Sequence, residues 1–293
     1  MSNVIPFKAL LPRKDLAAKI ISPPYDVVDV GSARELAAGN PHSFLHITRS
    51  EIDLPDNMPP YDPKVYEKAK ENFELFQKKG RLQRDRESFY IYRQIMGKHV
   101  QTGLVGLAPV ADYIGGKIKR HELTKEEKLA DRVRHSDKIS AYAEPVFLVY
   151  RSNGEIERLI NAETSTEPLF DAIDCYGVRN VLWRSKEFSK MAAAFGKLDA
   201  LYIADGHHRS AAAAKVCELR GGAGGSAFFP VVIFPDNEVR IFEYDWSGDS
   251  DKRPLSKYSM PDIMALADSG GIMPPKSTWF APKLASGLFV YTF

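Results

Sequence analysis

The 293-residue sequence has little cysteine, almost no net charge and no long apolar run. Its two cysteines, Cys175 and Cys217, are too few for a disulfide framework or a four-thiolate zinc site. The 40 basic residues nearly balance the 38 acidic ones, and the formal charge of +2 argues against a nucleic-acid partner. No stretch approaches the roughly 18 apolar residues of a membrane-spanning helix, and residues 1–11 lack the features of a signal peptide. These absences favour a cytoplasmic protein without a membrane partner.

The composition is that of a folded α/β protein. Hydrophobic residues make up 44% of the chain, which excludes a disordered protein. Apolar patterns predict strands over 88–96, 100–110, 145–150 and 200–204. Helices are predicted over 64–80, 124–139 and 207–219, and Thr124 and Glu127 have the spacing of a capping box. We predict mixed α and β structure in one main domain, residues 1–247, with a C-terminal segment, residues 248–293, docked on it.

The segment LYIADGHHRSAAAA (201–214) carries the most specific pattern in the chain. A buried strand ends in a tight Asp205-Gly206 turn, and a helix begins directly after it. The free main-chain N–H groups of a first helical turn, with the positive end of the helix dipole behind them, form a site suited to phosphate. Three basic residues follow the turn and would add side-chain donors: His207, His208 and Arg209. The guanidinium of Arg209 can bind a phosphate through two N–H groups at once.

Basic residues at a helix N-terminus are unfavourable for the helix itself. A bound anion would neutralise them, and three adjacent basic side chains favour this interpretation. In the alternative interpretation, Asp205 caps the helix and pairs with Arg209, while the two histidines stay neutral. The residues alone leave both interpretations open.

The ADGHHR box between a strand and an alanine-rich helix resembles the phosphate-binding box of the ParB/sulfiredoxin superfamily, and it is most similar to that of the free serine kinases. Nearly the whole chain resembles a second family, the DUF1015 proteins, which are named for their lack of a known function. The matching segments are PFKALLP (6–12), PPYDVV (23–28), NPHSFLHITRSEIDLP (40–55), YRQIMGKHVQTGLVG (92–106), IKRHELTKEEKLADRVRH (118–135), EPVFLVY (144–150), LYIADGHHRSAAAA (201–214) and MPPKSTWFAPKL (273–284). The resemblance implies a ParB/sulfiredoxin-like core with additional strands and helices.

The similarity to free serine kinases implies a nucleotide-dependent phosphotransferase that acts on a small hydroxylated metabolite, with serine or phosphoserine as the specific expectation. ATP, ADP or another nucleotide would be used with Mg²⁺, and residues 205–209 would hold its phosphates. A ParB-like regulator that binds a nucleotide without catalysis is the alternative function. DUF1015 proteins typically carry a longer stretch before the MPPKSTWF motif than this chain does, so a phosphate-binding protein without chemistry is a third interpretation.

Phosphoryl transfer needs a base near the attacking hydroxyl, a cation for the transferred group and, in most enzymes, a metal held by carboxylates. Glu122 is our candidate for the base or for a ligand of Mg²⁺, and Arg132 is our candidate for stabilising charge in the transition state. His121 would assist them. The alternative for all three is a solvated helix face with salt bridges. Lys125 excludes the HExxH zinc motif that would begin at His121.

Two other segments supply candidates for substrate binding. In the PPYD sequence (23–26), Tyr25 could stack on a base, and Asp26 could accept a hydrogen bond from a ribose or a substrate amine. The alternative there is a rigid turn with a buried tyrosine. Arg49 would add a second contact to an anion. Neither a Walker A motif nor a GxGxxG loop is present, which argues against P-loop and Rossmann sites.

Overall fold

A mixed eight-stranded sheet forms the centre of the computed structural model, which describes residues 3–243, 255–273 and 279–293. The strands of the described residues, numbered along the chain, are β1 Leu10–Pro12, β2 Leu82–Arg84, β3 Tyr90–Met96, β4 His99–Pro109, β5 Ile118–Lys119, β6 Ala141–Tyr142, β7 Val146–Tyr150, β8 Phe170–Ile173, β9 Arg179–Arg184, β10 Leu201–Asp205, β11 Phe228–Pro235, β12 Arg240–Phe242, β13 Trp279–Ala281 and β14 Tyr291–Thr292. The central sheet has the order β5-β10-β7-β11-β4-β3-β9-β8, and β1-β2, β12-β13 and β14-β6 form two-stranded pairs.

Helices pack against both faces of this sheet. The α-helices of the described residues are α1 Ala17–Ile20, α2 Val30–Ala37, α3 Leu45–Thr48, α4 Pro63–Lys78, α5 Val110–Ile114, α6 Glu126–Ile139, α7 Gly154–Glu163, α8 Phe188–Gly196, α9 His207–Leu219 and α10 Met260–Asp268. None of the helices in this described part of the chain is long and apolar enough to cross a membrane.

Successive residues of the central strands alternate between two hydrophobic cores. On β7, Leu148 faces the core that contains α7, α8 and α9, whereas Phe147 faces the core that contains α10 and the C-terminal Phe289. Every residue of β7 is buried, which explains why the strand is a continuous apolar run in the sequence. Burial of one large apolar side chain stabilises the fold by about 1.5–3 kcal/mol. Packing on both faces of the sheet therefore holds the ends of the strands in fixed positions.

Helix α6 links the sheet to a smaller layer built from the N-terminal third of the chain. Its residue Ile139 packs in a separate core with Ile20, Phe44 and Phe73 of that layer. The helix lies against α4 on one side and against α9 on the other. The N-terminal layer is therefore held beside the helix that follows β10.

The mixed α and β structure expected from the sequence is confirmed, and α9 has the predicted bounds, 207–219. The predicted capping box is wrong. Helix α6 begins at Glu126, with Lys125 at the N-cap position and no side-chain cap, so Thr124 lies one residue before the cap position and does not cap the helix. The main-chain N–H of Lys125 donates to Nε2 of His208 at 3.0 Å. The predicted domain boundary at 247/248 lies outside the described residues.

Candidate active site

Two parallel strands bring the charged segment and the ADGHHR turn together. Strand β5 pairs in parallel with β10, with Ile118 opposite Leu201. Because parallel neighbours end at the same edge of a sheet, the residues that follow them meet there, and such edges commonly bind ligands. His121 and Glu122 follow β5, and the turn at Gly206 follows β10. The antiparallel strand β7 begins at this edge, so the residues just before it also reach the site.

The turn into α9 requires glycine. Gly206 has φ of +99°, and a Cβ built on it would lie 3.1 Å from Nε of Arg209. No side chain among the described residues caps the N-terminus of α9. The main-chain N–H groups of its first turn are therefore left without a side-chain acceptor.

Asp205 holds two cations at the end of β10. Its Oδ2 lies 2.5 Å from Nη2 of Arg209, and its Oδ1 lies 2.9 Å from Nζ of Lys283. Burial opposes ionisation of this carboxyl, but the positive charges of Lys283 and Arg209 outweigh it and hold its pKa well below the usual range. The Arg209 guanidinium also donates through Nη1 to the carbonyl oxygen of Pro145.

One N–H group of the Arg209 guanidinium remains without a partner. Its Nε is buried and has no hydrogen-bond partner among the described residues, although the side chain is only 8% exposed. An unsatisfied buried donor lowers the stability of a fold by about 1–3 kcal/mol, and by more when the group is charged, so this one calls for an explanation. The side chain lines a cavity of about 20 Å³ together with Arg132 and Glu144, which is room for about one water molecule.

Three side chains that could bind a metal or carry a proton lie beside the Asp205–Arg209 ion pair: His121, Glu122 and His207. Nδ1 of His207 is 3.5 Å from Oε2 of Glu122, and the His121 and His207 rings meet edge to face with their centroids 4.6 Å apart. His121 is fully buried, and neither of its ring nitrogens has a partner in the described part of the chain. One donor or lone-pair atom from each of the three side chains lies within 4.8 Å of the others.

Burial keeps the histidines of the site neutral. It lowers the pKa of His121 to about 4, and it also lowers the pKa values of His207 and His208. Burial and the negative charge of Asp205 raise the pKa of Glu122, although Lys283 opposes this shift. The site thus presents neutral imidazole rings and a carboxylate with increased affinity for a proton.

The turn combines features of the two interpretations drawn from the sequence. Asp205 pairs with Arg209 and the histidines are held neutral, as the alternative interpretation requires. However, Asp205 does not cap α9, and the unpaired Nε of Arg209 leaves a donor for a ligand. Anion binding at 205–209 stays a prediction.

A family model described as a protein of unknown function, DUF1015, matches residues 4–245. The chain belongs to the DUF1015 family. No curated protein matches the chain, and no solved structure does. The likeness of the ADGHHR box to the ParB/sulfiredoxin superfamily therefore rests on the sequence of that box. The family match includes every predicted site residue, whereas Lys283 lies beyond it.

In this DUF1015 protein, Arg132 and Tyr25 form a buried pair at the edge of the site. The guanidinium of Arg132 lies 3.8 Å from the centre of the Tyr25 ring and 2.6 Å from Oδ2 of Asp131. The main-chain N–H of Tyr25 donates to Glu144 at 2.9 Å, and the tyrosine is 7% exposed. This arrangement matches the rigid turn with a buried tyrosine, because Arg132 already covers one face of the ring.

The other predicted substrate contacts differ in their distance from the turn. Asp26 is exposed, and its charge acts on Arg209 and His208, so it lies near the site. Arg49 instead donates to Oε1 of Glu51 at 2.9 Å and to the carbonyl oxygen of Val28 at 2.6 Å. Two of its nitrogens are thus engaged within the N-terminal layer, while its buried Nε, like that of Arg209, has no partner in the described residues.

Two residues of the site, Lys283 and Glu144, were missed by reasoning from the sequence. Glu144 is buried, and it accepts hydrogen bonds from the main chain of Tyr25 and from the hydroxyl of Ser286 at 2.5 Å. Burial raises its pKa, and Arg209 opposes that shift. Glu144 falls in the segment EPVFLVY within the family match, and Lys283 falls in MPPKSTWFAPKL beyond it, but a single charge beside a proline predicts no chemistry by itself.

Proposed function

We propose that this DUF1015 protein is a nucleotide-dependent phosphotransferase acting on a small hydroxylated metabolite, with serine or phosphoserine as the first candidates. One observation carries the proposal: the uncapped N-terminus of α9 lies beside a buried guanidinium that has an unpaired Nε–H, on Arg209. Helix N–H groups and an arginine donor together suit a phosphate group. The ParB/sulfiredoxin-like core, suggested by the ADGHHR box, belongs to the same proposal.

The phosphates of the nucleotide would occupy the first turn of α9. Asp205 holds the Arg209 guanidinium in place, so the side chain loses little freedom when an anion binds. Lys283 adds a second positive charge on the other oxygen of Asp205. These two cations would stabilise charge on the transferred phosphoryl group, where positioning and electrostatics supply most of the catalysis.

Glu122 would act on the acceptor. Its raised pKa suits a general base, because a carboxylate that is poorly solvated holds a proton more strongly. The hydroxyl oxygen of the acceptor would bond to the terminal phosphorus while its proton passes to Glu122. The bond from that phosphorus to the bridging oxygen would break and leave the nucleoside diphosphate.

Glu122 has an alternative role as a ligand of Mg²⁺. Both oxygens of Asp205 are engaged by Arg209 and Lys283, so in this alternative Glu122 would hold the ion together with phosphate oxygens and water instead of acting as the base. Mg²⁺ would neutralise part of the phosphate charge.

A transfer assay tests this function. Purified protein is incubated with ATP, Mg²⁺ and a panel of hydroxylated metabolites including serine, and with ADP and phosphoserine for the reverse reaction; products are read by mass spectrometry. Wild type is expected to form a phosphorylated product, and Glu122→Gln to lose at least about 100-fold of the rate while retaining nucleotide binding. Glu155→Gln, which removes an exposed carboxylate on α7, is the control.

Absence of transfer in either direction from wild type would contradict the phosphotransferase. If the nucleotide nevertheless binds, the ParB-like regulator without catalysis becomes the better account. Unchanged transfer in Glu122→Gln would remove the role assigned to that carboxylate.

A further inference from the structure

The side chains of His121, Glu122 and His207 converge from two different elements. The first two follow β5, and the third begins α9, and the parallel pairing of β5 with β10 places them side by side. We infer that these three side chains form a binding site for a divalent transition-metal ion of the Zn²⁺ class. The inference concerns the same edge of the sheet as the proposed function, but it requires neither a nucleotide nor an acceptor.

The distances fit a metal better than they fit hydrogen bonds. The 3.5 Å between Nδ1 of His207 and Oε2 of Glu122 is long for a hydrogen bond. Two ligands at about 2.0–2.2 Å from Zn²⁺ in tetrahedral geometry lie roughly 3.3–3.5 Å apart. All three ligand atoms lie within 4.8 Å of one another, so closing them onto an ion needs side-chain shifts of about 1 Å.

The His121 ring supplies the second, independent indication. It is fully buried, and both of its nitrogens lack partners in the described residues, yet a neutral imidazole carries one donor and one acceptor. A ring packed only as an apolar group would leave both unused. For His207, the contact between Nε2 and the main-chain N–H of His121 is long, 3.4 Å, so it does little to fix the tautomer, and the tautomer with its lone pair on Nδ1, toward Glu122, is available. A metal ion would give these lone pairs a partner.

The donor set selects the metal. Two imidazoles and one carboxylate suit Zn²⁺, Fe²⁺ or Co²⁺, whereas Mg²⁺ prefers an all-oxygen shell. Three protein ligands leave a coordination position for water or substrate, as in catalytic rather than structural zinc sites. That position would adjoin the first turn of α9.

The test uses the full-length protein after removal of metal with a chelator. Zn²⁺ is titrated calorimetrically without nucleotide, and Co²⁺ is added as a spectroscopic probe of the ligands. We expect one Zn²⁺ per chain, a rise in Tm and visible Co²⁺ absorption bands. His121→Gln and Glu122→Gln should each weaken Zn²⁺ binding by at least about tenfold. His99→Gln is the matched control, because His99 is also a buried histidine with an unpartnered Nε2 but lies on β4.

Folding of each variant is checked by circular dichroism. The inference is overturned if folded, metal-free wild type binds no Zn²⁺, or if His121→Gln and Glu122→Gln bind it as tightly as His99→Gln does. Because no nucleotide is present, these outcomes leave the phosphotransferase proposal standing. Conversely, a protein that binds Zn²⁺ but transfers no phosphate would retain the metal site and lose the proposed function.

Discussion

The Nζ of Lys283 lies 2.9 Å from Oδ1 of Asp205, which joins residues 78 positions apart in the sequence. Asp205 ends strand β10 of the eight-stranded sheet, and Lys283 follows strand β13 of the separate β12-β13 pair. The C-terminal part of the chain thus contributes a cation directly to the turn that begins α9. This contact makes the electrostatics of the site depend on a segment that lies outside the matched family region.

Lys283→Met should destabilise the protein near neutral pH by about 1.5–3 kcal/mol, the usual contribution of a hydrogen bond to a charged group. The pKa of Asp205 is depressed in the folded protein, so its stabilising contribution is present above the ordinary value of 3.8 and is lost as the pH falls through the folded value. The difference between wild type and the variant should therefore stay constant from pH 7 to about pH 4 and shrink only at more acid pH, as measured by urea unfolding.

The control for this experiment is Lys14→Met, because Lys14 pairs with Glu167 on the surface, where both side chains are mostly exposed. That change should cost no more than about 1 kcal/mol. Equal losses in the two variants would show that the Lys283–Asp205 pair is no more important than a surface salt bridge.

Gly206→Ala should lower the free energy of unfolding by more than the backbone strain alone would. A left-handed backbone costs a non-glycine residue about 1–2 kcal/mol, and the new Cβ would also press on Nε of Arg209 at 3.1 Å. Gly97 also has a positive φ, +57° against +99° at Gly206, with nothing within 4 Å of an added Cβ, so Gly97→Ala is a control without the close contact. Chemical denaturation should show a larger loss for Gly206→Ala, and a loss no greater than that of Gly97→Ala would argue against the close approach.

Two histidines, His135 at the cavity that Arg209 lines and His46 in the N-terminal layer, should give opposite pH dependences of stability. Burial lowers the pKa of His135 to about 4, and its Nε2 lies 2.9 Å from the carbonyl oxygen of Ile47. The contribution of neutral, buried His135 to the free energy of unfolding is fully present above pH 6.5, the ordinary pKa of histidine. It is lost as the pH falls toward 4, by up to about 3 kcal/mol. His135→Gln should therefore flatten the loss of stability over this range.

His46 provides the comparison. A hydrogen bond to Asp53 at 2.9 Å raises the pKa of His46, so its contribution is present below 6.5 and is lost as the pH rises through the folded value. His46→Gln should weaken the protein most below pH 6.5. Thermal unfolding curves at several pH values would measure both effects, and parallel pH profiles in the two variants would contradict the assignment.

The sequence predicted the elements whose signals are local. The continuous apolar run of β7 and the glycine-flanked alanine helix α9 depend on neighbouring residues, so their patterns are visible in one dimension. Strand β5 has only two residues, and its parallel pairing with β10 arises from tertiary packing, so no periodicity could reveal it. The capping box predicted for α6 is absent, and the Lys125 N–H before this helix instead donates to His208, a contact across 83 residues that no local pattern shows.

The parts of the candidate site that depend on neighbouring residues could also be predicted from the sequence, and the rest could not. The ADGHHR turn can be recognised from neighbouring residues, since an Asp-Gly pair followed directly by an alanine-rich segment predicts a tight turn into a helix N-terminus. The approach of Glu122 and His121 to this turn depends on strand pairing, and the contribution of Lys283 depends on where the C-terminal segment packs. Such contacts between distant residues require the three-dimensional structure.

The most direct test of the account is the binding of ATP with Mg²⁺, measured by calorimetry on wild type and on Arg209→Ala. We expect wild type to bind and the variant to bind at least about tenfold more weakly, since a charge-assisted hydrogen bond contributes about 1.5–3 kcal/mol. Arg184→Ala is the control, because Arg184 is also paired with an aspartate, Asp85, but lies on β9. Binding that is absent from wild type, or equal in folded Arg209→Ala and Arg184→Ala, would contradict a phosphate site at the start of α9.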